Sequence, residues 1–313
     1  MTEGLDFTAE DIELMLANLD AFSPEEALEI DRMVDELNTR TANASAYDDL
    51  IEFCKLMQPD YIVGKHHRIL ADMLMAIERG EKDRICVNIP PRHGKSQLVS
   101  IFYPAWFLGR NPDKKVMMVS HTTDLAVDFG RKVRNLIALD DYRSIFPTVK
   151  LAQDSKSAGR WNTNVGGEYY ACGIGSALAG RGADLLLIDD PHSEQDVING
   201  NFEVFDKAYE WFTFGARTRL MPGGRVAIIQ TRWHLDDLTG RVTRDMAQND
   251  RSDQYDVIEF PAIIEVKNKK SKKITEKPLW PEFFDLEALL RTKASMPTFQ
   301  WNSQYQQQPT AEE

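Results

Sequence analysis

Short apolar runs alternate with longer amphipathic segments between residues 85 and 260. The short runs are typical of buried β-strands, and the segments between them have the period of helices. Strands are predicted at 85–89, 115–120, 184–189, 225–231 and 255–260. Because strands and helices alternate along the chain, the pattern indicates an α/β fold with a parallel, doubly wound sheet.

Helices are predicted between these strands, at about 96–108, 123–139, 202–220 and 235–247. The segment 160–173 alternates polar and apolar residues around Gly166-Gly167, which predicts a β-hairpin. The predicted helix 202–220 leads through Pro222-Gly223-Gly224 to the strand 225–231.

The chain divides into an acidic helical arm, a core and a tail of different composition, at 1–47, 48–260 and 261–313. Ser23 followed by Pro24 and two glutamates is a typical helix start, with an N-cap residue and early carboxylates. Residues 48–79 continue as helices that break at Gln58-Pro59-Asp60 and resume near Lys65.

The net charge of -12 is unevenly distributed, since residues 1–50 hold 14 of the Asp and Glu residues and only 2 of the Lys and Arg residues. The rest of the chain is neutral, so the negative net charge of the whole protein does not exclude a nucleic-acid partner. The 3 cysteines are scattered and predict buried, reduced thiols of a protein in a reducing cytoplasm. No apolar stretch approaches the ~18 residues that span a bilayer, which indicates a soluble intracellular protein.

Gly94-Lys95-Ser96 follows the first predicted strand and opens a helical pattern. In a phosphate-binding loop, backbone N–H groups and a helix N-terminus hold polyphosphate. Lys95 would reach the β- and γ-phosphates and Ser96 would bind Mg²⁺. The first glycine of the usual pattern is replaced by Ile89, so the loop alone leaves a chance match open.

An acid pair, Asp189-Asp190, ends the apolar run 185–188. Ligands bind at the carboxyl edge of an open parallel sheet, where Asp189 would hold Mg²⁺ and Asp190 would orient or deprotonate water. The second position more often carries Glu in such enzymes, and Glu194 is the alternative base. Together with Gly94-Lys95-Ser96, the pair predicts an NTPase.

Two histidines, His192 and His234, follow polar strand ends and could lie near this site. They lack the ligand spacing of a zinc centre, so Mg²⁺ held by oxygen atoms is the predicted metal. Gln230-Thr231 ends the strand 225–231, where a polar side chain can sense phosphate hydrolysis or simply end the strand.

Three motifs in order resemble the ATPase domain of tailed-phage terminase large subunits, the motors that package DNA: Pro90-Pro-Arg-His-Gly-Lys-Ser96, Ile188-Asp-Asp-Pro191 and Gln230-Thr-Arg-Trp-His234 with Asp236-Asp237-Leu238. The resemblance covers roughly residues 48–310. It implies a P-loop NTPase of the ASCE type that uses ATP and Mg²⁺. It also implies the strand order 5-1-4-3-2, with the strand ending at Thr231 between the P-loop strand and the strand before Asp189.

The resemblance also implies residue roles. The loop is a deviant Walker A motif that binds nucleotide through Pro91, Arg92, His93, Gly94, Lys95, Ser96 and Gln97. In it, Arg92 contacts phosphate and couples its state to motion, and Thr231 matches the coupling motif. Arg181, between two glycines, is the best candidate for an arginine finger offered to a neighbouring subunit. Arg217 and Arg219 are lesser candidates, and Arg181 could instead bind the carbonyls of its own turn.

Gln58 and Tyr61 occupy the position where related motors recognise adenine. The Gln58 amide could bond to the base and Tyr61 could stack on it, with a contribution from His66 or His67. The alternative is an ordinary break between helices.

The resemblance implies a motor that moves double-stranded DNA into a procapsid in the cytoplasm of an infected bacterium. The expected partners are DNA, a ring of identical subunits (a pentamer), the portal on which it docks transiently and a small terminase subunit, without a membrane. Relatives continue into a nuclease domain, so nuclease activity is not expected from this chain, which stops at Glu313. The lysines between 267 and 277 could contact DNA phosphates or form a solvated loop. The alternatives are a helicase-like ATPase and a nucleotide-gated assembly protein with little turnover.

Overall fold

A seven-stranded sheet forms the centre of the computed structural model. The structure describes residues 21–155, 157–198, 200, 202–267 and 274–310, together with 11, 14, 15, 17 and 18. The strands of the sheet are β1 (Arg84–Asn88), β2 (Lys115–Ser120), β3 (Arg160–Asn162), β4 (Glu168–Gly173), β5 (Ala183–Asp189), β6 (Leu220–Gln230) and β7 (Asp256–Glu259). Their order across the sheet is β7-β1-β6-β5-β2-β4-β3.

The α/β prediction and the order of its five parallel strands are confirmed. The strands β7, β1, β6, β5 and β2 pair in parallel, with Cys86 opposite Ile228 and Leu187 opposite Ala227. The predicted hairpin is also confirmed, because β3 pairs antiparallel to β4. That hairpin extends the sheet, since β4 pairs in parallel with β2. All five carboxyl ends therefore meet at one edge of the sheet, which we call the carboxyl edge.

Helices cover both faces of the sheet. They are α1 (Pro24–Asp48), α2 (Leu50–Met57), α3 (Lys65–Arg79), α4 (Tyr103–Arg110), α5 (Thr123–Ile137), α6 (Asp140–Ile145), α7 (Glu194–Ile198), α8 (Glu203–Glu210), α9 (Leu238–Gln248), α10 (Leu286–Ala294) and α11 (Thr298–Gln300). Side chains alternate between the two faces, so Leu185 and Leu187 pack with α3 and α5 while Leu186 and Ile188 pack with α9.

Two helical predictions differ from the structure in detail. The helix after the P-loop starts with a π-helical turn, Gln97–Phe102, before α4. The predicted helix 202–220 is divided into α8, a π-helical turn (Trp211–Ala216) and a 3₁₀ turn (Arg217–Arg219). Such changes of helix type follow from packing against the rest of the protein, which the period of apolar residues does not encode.

The strand predicted at 225–231 starts earlier in the structure, because Pro222-Gly223-Gly224 lie inside β6. The pairing of β6 with β5 shifts register between Ala183 and Leu185. A register shift leaves some backbone groups outside the regular ladder, which lets a strand accept proline and glycine.

The arm helix α1 starts as predicted, with Ser23 as N-cap and a complete capping box with Glu26. Its last turns pack against the core, where the Ala46 carbonyl accepts a hydrogen bond from Trp106 Nε1 at 3.1 Å. The break between helices at Gln58 is confirmed, since α2 ends at Met57 and α3 starts at Lys65.

The C-terminal region has its own hairpin, β8 (Ile263–Lys267) and β9 (Ile274–Pro278), and a small core of Ala262, Ile263, Leu289 and Trp301. Lys267 and Lys277 stand on the two strands, and the other lysines of the predicted cluster lie outside the described residues. The three cysteines are buried and free, as predicted. Among the described residues, no helix combines the length and the apolar character needed to cross a bilayer.

Candidate nucleotide site

The P-loop connects β1 to the helix that starts with the π-helical turn. Two of its residues adopt left-handed backbone conformations, the exposed Arg92 at φ 62° and Gly94 at φ 79°. A non-glycine residue in this region is uncommon and is found mainly at functional sites. The loop lines a cavity of about 350 Å³ with Pro91, Arg92, Gly94, Lys95, Ser96 and Gln97. The fold therefore gathers all the residues predicted for nucleotide binding in this loop, except His93, around one cavity.

The acid pair at the end of β5 lies beside the P-loop. Lys95 Nζ is 2.8 Å from Asp190 Oδ2. Asp190 has a left-handed backbone at φ 46°, and its amide donates to the Ile229 carbonyl at 3.0 Å. This turn directs the Asp190 carboxylate toward the lysine of the P-loop.

Asp189 faces the helix that follows the P-loop. Its Oδ2 accepts a hydrogen bond from Ser100 at 2.6 Å. Its Oδ1 is buried and has no hydrogen-bond partner among the described residues. Burial, followed by the charge of Asp190, raises the pKa of Asp189 to about 6. A buried carboxylate with one oxygen unsatisfied is a suitable ligand for a divalent cation.

Lys95 is almost completely buried. Burial opposes its charge, but the carboxylates of Asp190 and Asp189 more than offset this, so its pKa lies above the usual value. The site thus keeps the Lys95 ammonium and two acidic side chains together. A polyphosphate could replace the carboxylates as the partner of Lys95, and a metal cation could bind the carboxylates.

Thr231 connects the acid pair to the start of the P-loop. Its amide donates to Asp190 Oδ1 at 2.9 Å, and its hydroxyl donates to the Ile89 carbonyl at 3.1 Å. The neighbouring Gln230 is fully buried, and both polar atoms of its side chain lack a partner among the described residues. Thr231, at the strand end predicted to sense phosphate hydrolysis, therefore contacts both the acid pair and the residue before the P-loop.

Gln58 also reaches the P-loop, since its Oε1 accepts a hydrogen bond from Gln97 Nε2 at 2.6 Å. Tyr61 is buried, with its ring 5.4 Å from that of Phe102 and 5.8 Å from that of His67. The amide of Gln58 is thus beside the nucleotide loop, whereas the ring of Tyr61 lies within the protein core.

The candidate arginine fingers lie at the opposite edge of the sheet. Arg181 comes just before β5, Arg217 and Arg219 just before β6, and Asp189 ends β5. With 7 residues in β5, this edge lies about 20 Å from the carboxyl edge. Arg181 donates to Glu168 at 3.4 Å and stacks 3.9 Å above the Tyr170 ring. None of these three arginines can reach the P-loop of its own chain from this position.

The remaining candidates lie around the loop after Asp190. Glu194 is exposed on the first turn of α7. His192 Nε2 accepts from the Leu238 amide at 3.0 Å, so it stabilises the start of α9. His234 packs against Phe202 and Phe205, with ring centroids 4.9 and 5.2 Å away. Both histidines thus have roles in packing and helix capping.

Sequence reasoning missed two features of the site. Ser100 is one, although its spacing of four residues from Ser96 on a helix was a visible signal. The other is a buried ion pair, in which Arg232 Nε lies 2.9 Å from Asp237 Oδ2. Asp237 is also the N-cap of α9. Arg232 and Asp237 both belong to the third motif, which spans residues 230–238, but the sequence does not show that their side chains form an ion pair.

The segment from Cys86 to Ile198, which holds the P-loop and the acid pair, falls within a family match. Residues 86–199 match the family model for the N-terminal part of the terminase large subunit, T4likevirus type. Over these residues the chain is similar to that family. The resemblance read from the three motifs is thereby confirmed for the P-loop and the acid pair. No curated protein sequence matches the chain.

Solved structures of phage terminases are similar to this one. A mutant of the large terminase ATPase domain of Thermus phage P74-26 has a TM-score of 0.47 and 16% identity, and the match covers 76% of this chain and 93% of that one. The large terminase of bacteriophage HK97 has a TM-score of 0.48 and 13% identity, covering 79% and 51%. The large terminase of the thermophilic bacteriophage D6E, in complex with ATP-γ-S, has a TM-score of 0.47 and 11% identity, covering 76% and 51%.

The match therefore spans about half the length of the HK97 and D6E terminases.

Proposed function

We propose that this chain contains the ATP-hydrolysing motor of a viral terminase large subunit, which moves double-stranded DNA into a procapsid. The observation that carries the proposal is the contact of Lys95 with Asp190 at 2.8 Å. It joins the P-loop after β1 to the acid pair at the end of β5, two strands away across β6, within a segment that matches the terminase family. P-loop NTPases use this combination for phosphoryl transfer.

ATP would bind with its phosphates against the P-loop amides and the Lys95 ammonium. Phosphates would compete with Asp190 for Lys95, and an Asp190 oxygen could then accept a proton from the attacking water. Water adds to the γ-phosphorus while the bond to the β–γ bridging oxygen breaks, which leaves ADP and phosphate. Asp190 is a better candidate for this base than Glu194, because it contacts Lys95 and Thr231 whereas Glu194 is exposed.

Ser96 and Asp189 would hold Mg²⁺. The free Oδ1 of Asp189 and a serine hydroxyl are oxygen ligands of the kind that Mg²⁺ prefers. When bound, the cation would neutralise charge on the β- and γ-phosphates.

Thr231 would transmit the state of the site to the rest of the motor. It bonds both to Asp190 and to Ile89, the residue before the P-loop, so a shift of either loop must change a Thr231 contact. Arg92, exposed on the same loop, would add a second contact to phosphate. Gln58 would bind the adenine base, supported by its bond to Gln97.

Arg181 would act on the ATP of a neighbouring subunit. Its position at the far edge of the sheet supports action in another chain, for which it would have to leave Glu168 and Tyr170. Hydrolysis would then depend on an assembled ring, with the portal and a small terminase subunit as further partners in the infected cell.

The test is phosphate release by the protein at high concentration with double-stranded DNA. Lys95→Ala should lose nearly all turnover, because the phosphates lose their main cation. Lys207→Ala is the matched control, since Lys207 is exposed and its ion pair with Glu203 lies on the same helix. The proposal fails if the unmodified protein releases no more phosphate than Lys95→Ala.

Packaging of DNA into procapsids tests the motor function itself. ATP turnover with DNA but without packaging would favour a helicase-like ATPase, and nucleotide binding without turnover would favour an assembly protein. Arg181→Ala tests action in a neighbour: it should bind ATP normally yet lower hydrolysis when mixed with unmodified subunits. Loss of ATP binding by this variant would show a role within its own chain.

A further inference from the structure

Two adjacent histidines at the start of α3 contact the back of the P-loop. The Nε2 atoms of His66 and His67 are each 2.9 Å from the carbonyl oxygen of His93. Because a carbonyl only accepts hydrogen bonds, both Nε2 atoms must carry a hydrogen. The other nitrogen of His67, Nδ1, accepts from the Gly64 amide at 3.0 Å. His67 is therefore a neutral imidazole whose tautomer is determined by its two partners.

This contact determines the direction of the next amide of the loop. In a trans peptide, the C=O of one residue and the N–H of the following residue point in opposite directions. The described residues contain no cis peptide bond. Since the His93 carbonyl points toward His66 and His67, the Gly94 N–H points away from them. Gly94 lines the cavity of the P-loop, so this N–H is directed to the side where phosphate would bind.

The space between the P-loop and His67 is too small for a side chain at Gly94. A Cβ atom on Gly94 would lie 2.2 Å from His67 Nε2, and Gly94 has a positive φ of 79°. Both histidines are buried, and burial lowers the pKa of His67 to about 3. The two imidazoles thus act as uncharged donors under ordinary conditions.

Aromatic residues of the C-terminal region hold these rings in place. The Trp280 ring lies 4.7 Å from that of His67, and the Phe284 ring stacks on that of His93 at 5.0 Å. His93 Nδ1 in turn donates to the Pro91 carbonyl at 2.8 Å. The back of the P-loop is therefore packed from both α3 and the C-terminal region.

We propose that His66 and His67 are positioning residues that orient the Gly94 amide for binding the phosphates of ATP. The inference rests on the proposed function and deepens it, because it assigns to α3 the control of a phosphate-binding amide. It differs from the prediction that these histidines contribute to an adenine pocket, since their ring nitrogens contact the loop backbone.

The test compares His67→Gln with His67→Asn by calorimetric titration with Mg²⁺-ATP. The amide of Gln extends one carbon further than that of Asn, so only Gln can reach the His93 carbonyl. We expect His67→Asn to bind ATP about tenfold more weakly, the loss of one hydrogen bond, and His67→Gln to restore most of the affinity. Adenosine, which lacks phosphates, should bind all three proteins equally.

The thermal midpoint without nucleotide serves as the control for folding. Equal ATP affinity of the folded Asn and Gln variants would overturn the inference, and so would an equal loss for adenosine and ATP. If His67→Asn fails to fold, the same comparison is made with His66→Gln and His66→Asn. Failure of the unmodified protein to bind ATP would refute the proposed function itself, which keeps the two failures distinguishable.

Discussion

Lowering the pH from 7.5 to 5.5 should destabilise the protein, because three buried histidines are neutral in the folded state. Burial is the main cause that lowers the pKa of His67 to about 3, of His93 to about 4 and of His192 to about 4. In the unfolded chain these groups titrate near the ordinary value of 6.5. The folded protein must therefore keep them unprotonated at a pH where the unfolded chain takes up protons.

The sign follows from the number of protons that each state binds. Between pH 6.5 and 4 the unfolded state binds more protons at these histidines than the folded state does. The free energy of unfolding therefore decreases as the pH falls below 6.5. One unit below the unfolded pKa, each histidine costs about 1.4 kcal/mol, or about 4 kcal/mol for all three. The pKa of His66 is lowered as well and adds in the same direction.

Asp189 opposes this effect. Its pKa is raised to about 6, so the folded state takes up a proton there as the pH falls through 6 and gains stability. At pH 5.5 this proton uptake raises the free energy of unfolding by about 1 kcal/mol, so the net decrease from all four groups is about 3 kcal/mol.

The assay is urea unfolding without nucleotide at pH 7.5 and 5.5, followed by circular dichroism. We expect a lower free energy of unfolding at pH 5.5, with a similar slope against urea. His67→Gln should reduce the difference between the two pH values by about 1.4 kcal/mol, since Gln does not titrate. Equal stability at both pH values would refute the description of these histidines as buried and neutral, and an unchanged difference in His67→Gln would refute it for His67.

Three substitutions test other parts of the site. Gly94→Ala should abolish ATP binding, because its Cβ would lie 2.2 Å from an imidazole nitrogen of His67. The matched control is Gly175→Ala, since Gly175 also has a positive φ, of 84°, but has open space around it. This control should cost only about 1 kcal/mol of stability. Thr231→Val should lower the rate of phosphate release while ATP binding stays intact, and an unchanged rate would contradict its role in coupling. Asp237→Asn should lower the free energy of unfolding by about 3 kcal/mol, since it breaks the buried pair with Arg232, and urea unfolding with a loss below ~1 kcal/mol would contradict this.

The sequence by itself determined the elements and their class. Apolar runs such as 184–189 predict buried strands because a strand inside a parallel sheet is covered on both faces. The P-loop and the acid pair were also visible, since each depends on residue types at short spacing. Ser23 predicted the start of α1 for the same reason, because a capping box closes within four residues.

Only the tertiary structure decided which distant residues meet. The contact of Lys95 with Asp190 joins the loop after β1 to the residue that follows β5, and that of His67 with His93 joins a helix to a loop. Such contacts depend on the packing of whole elements, and no local pattern records them. The same holds for Arg181, because only the direction of β5 shows that it lies at the edge opposite the P-loop. Local chemistry thus predicted the parts of the site, and long-range packing determined how they are arranged.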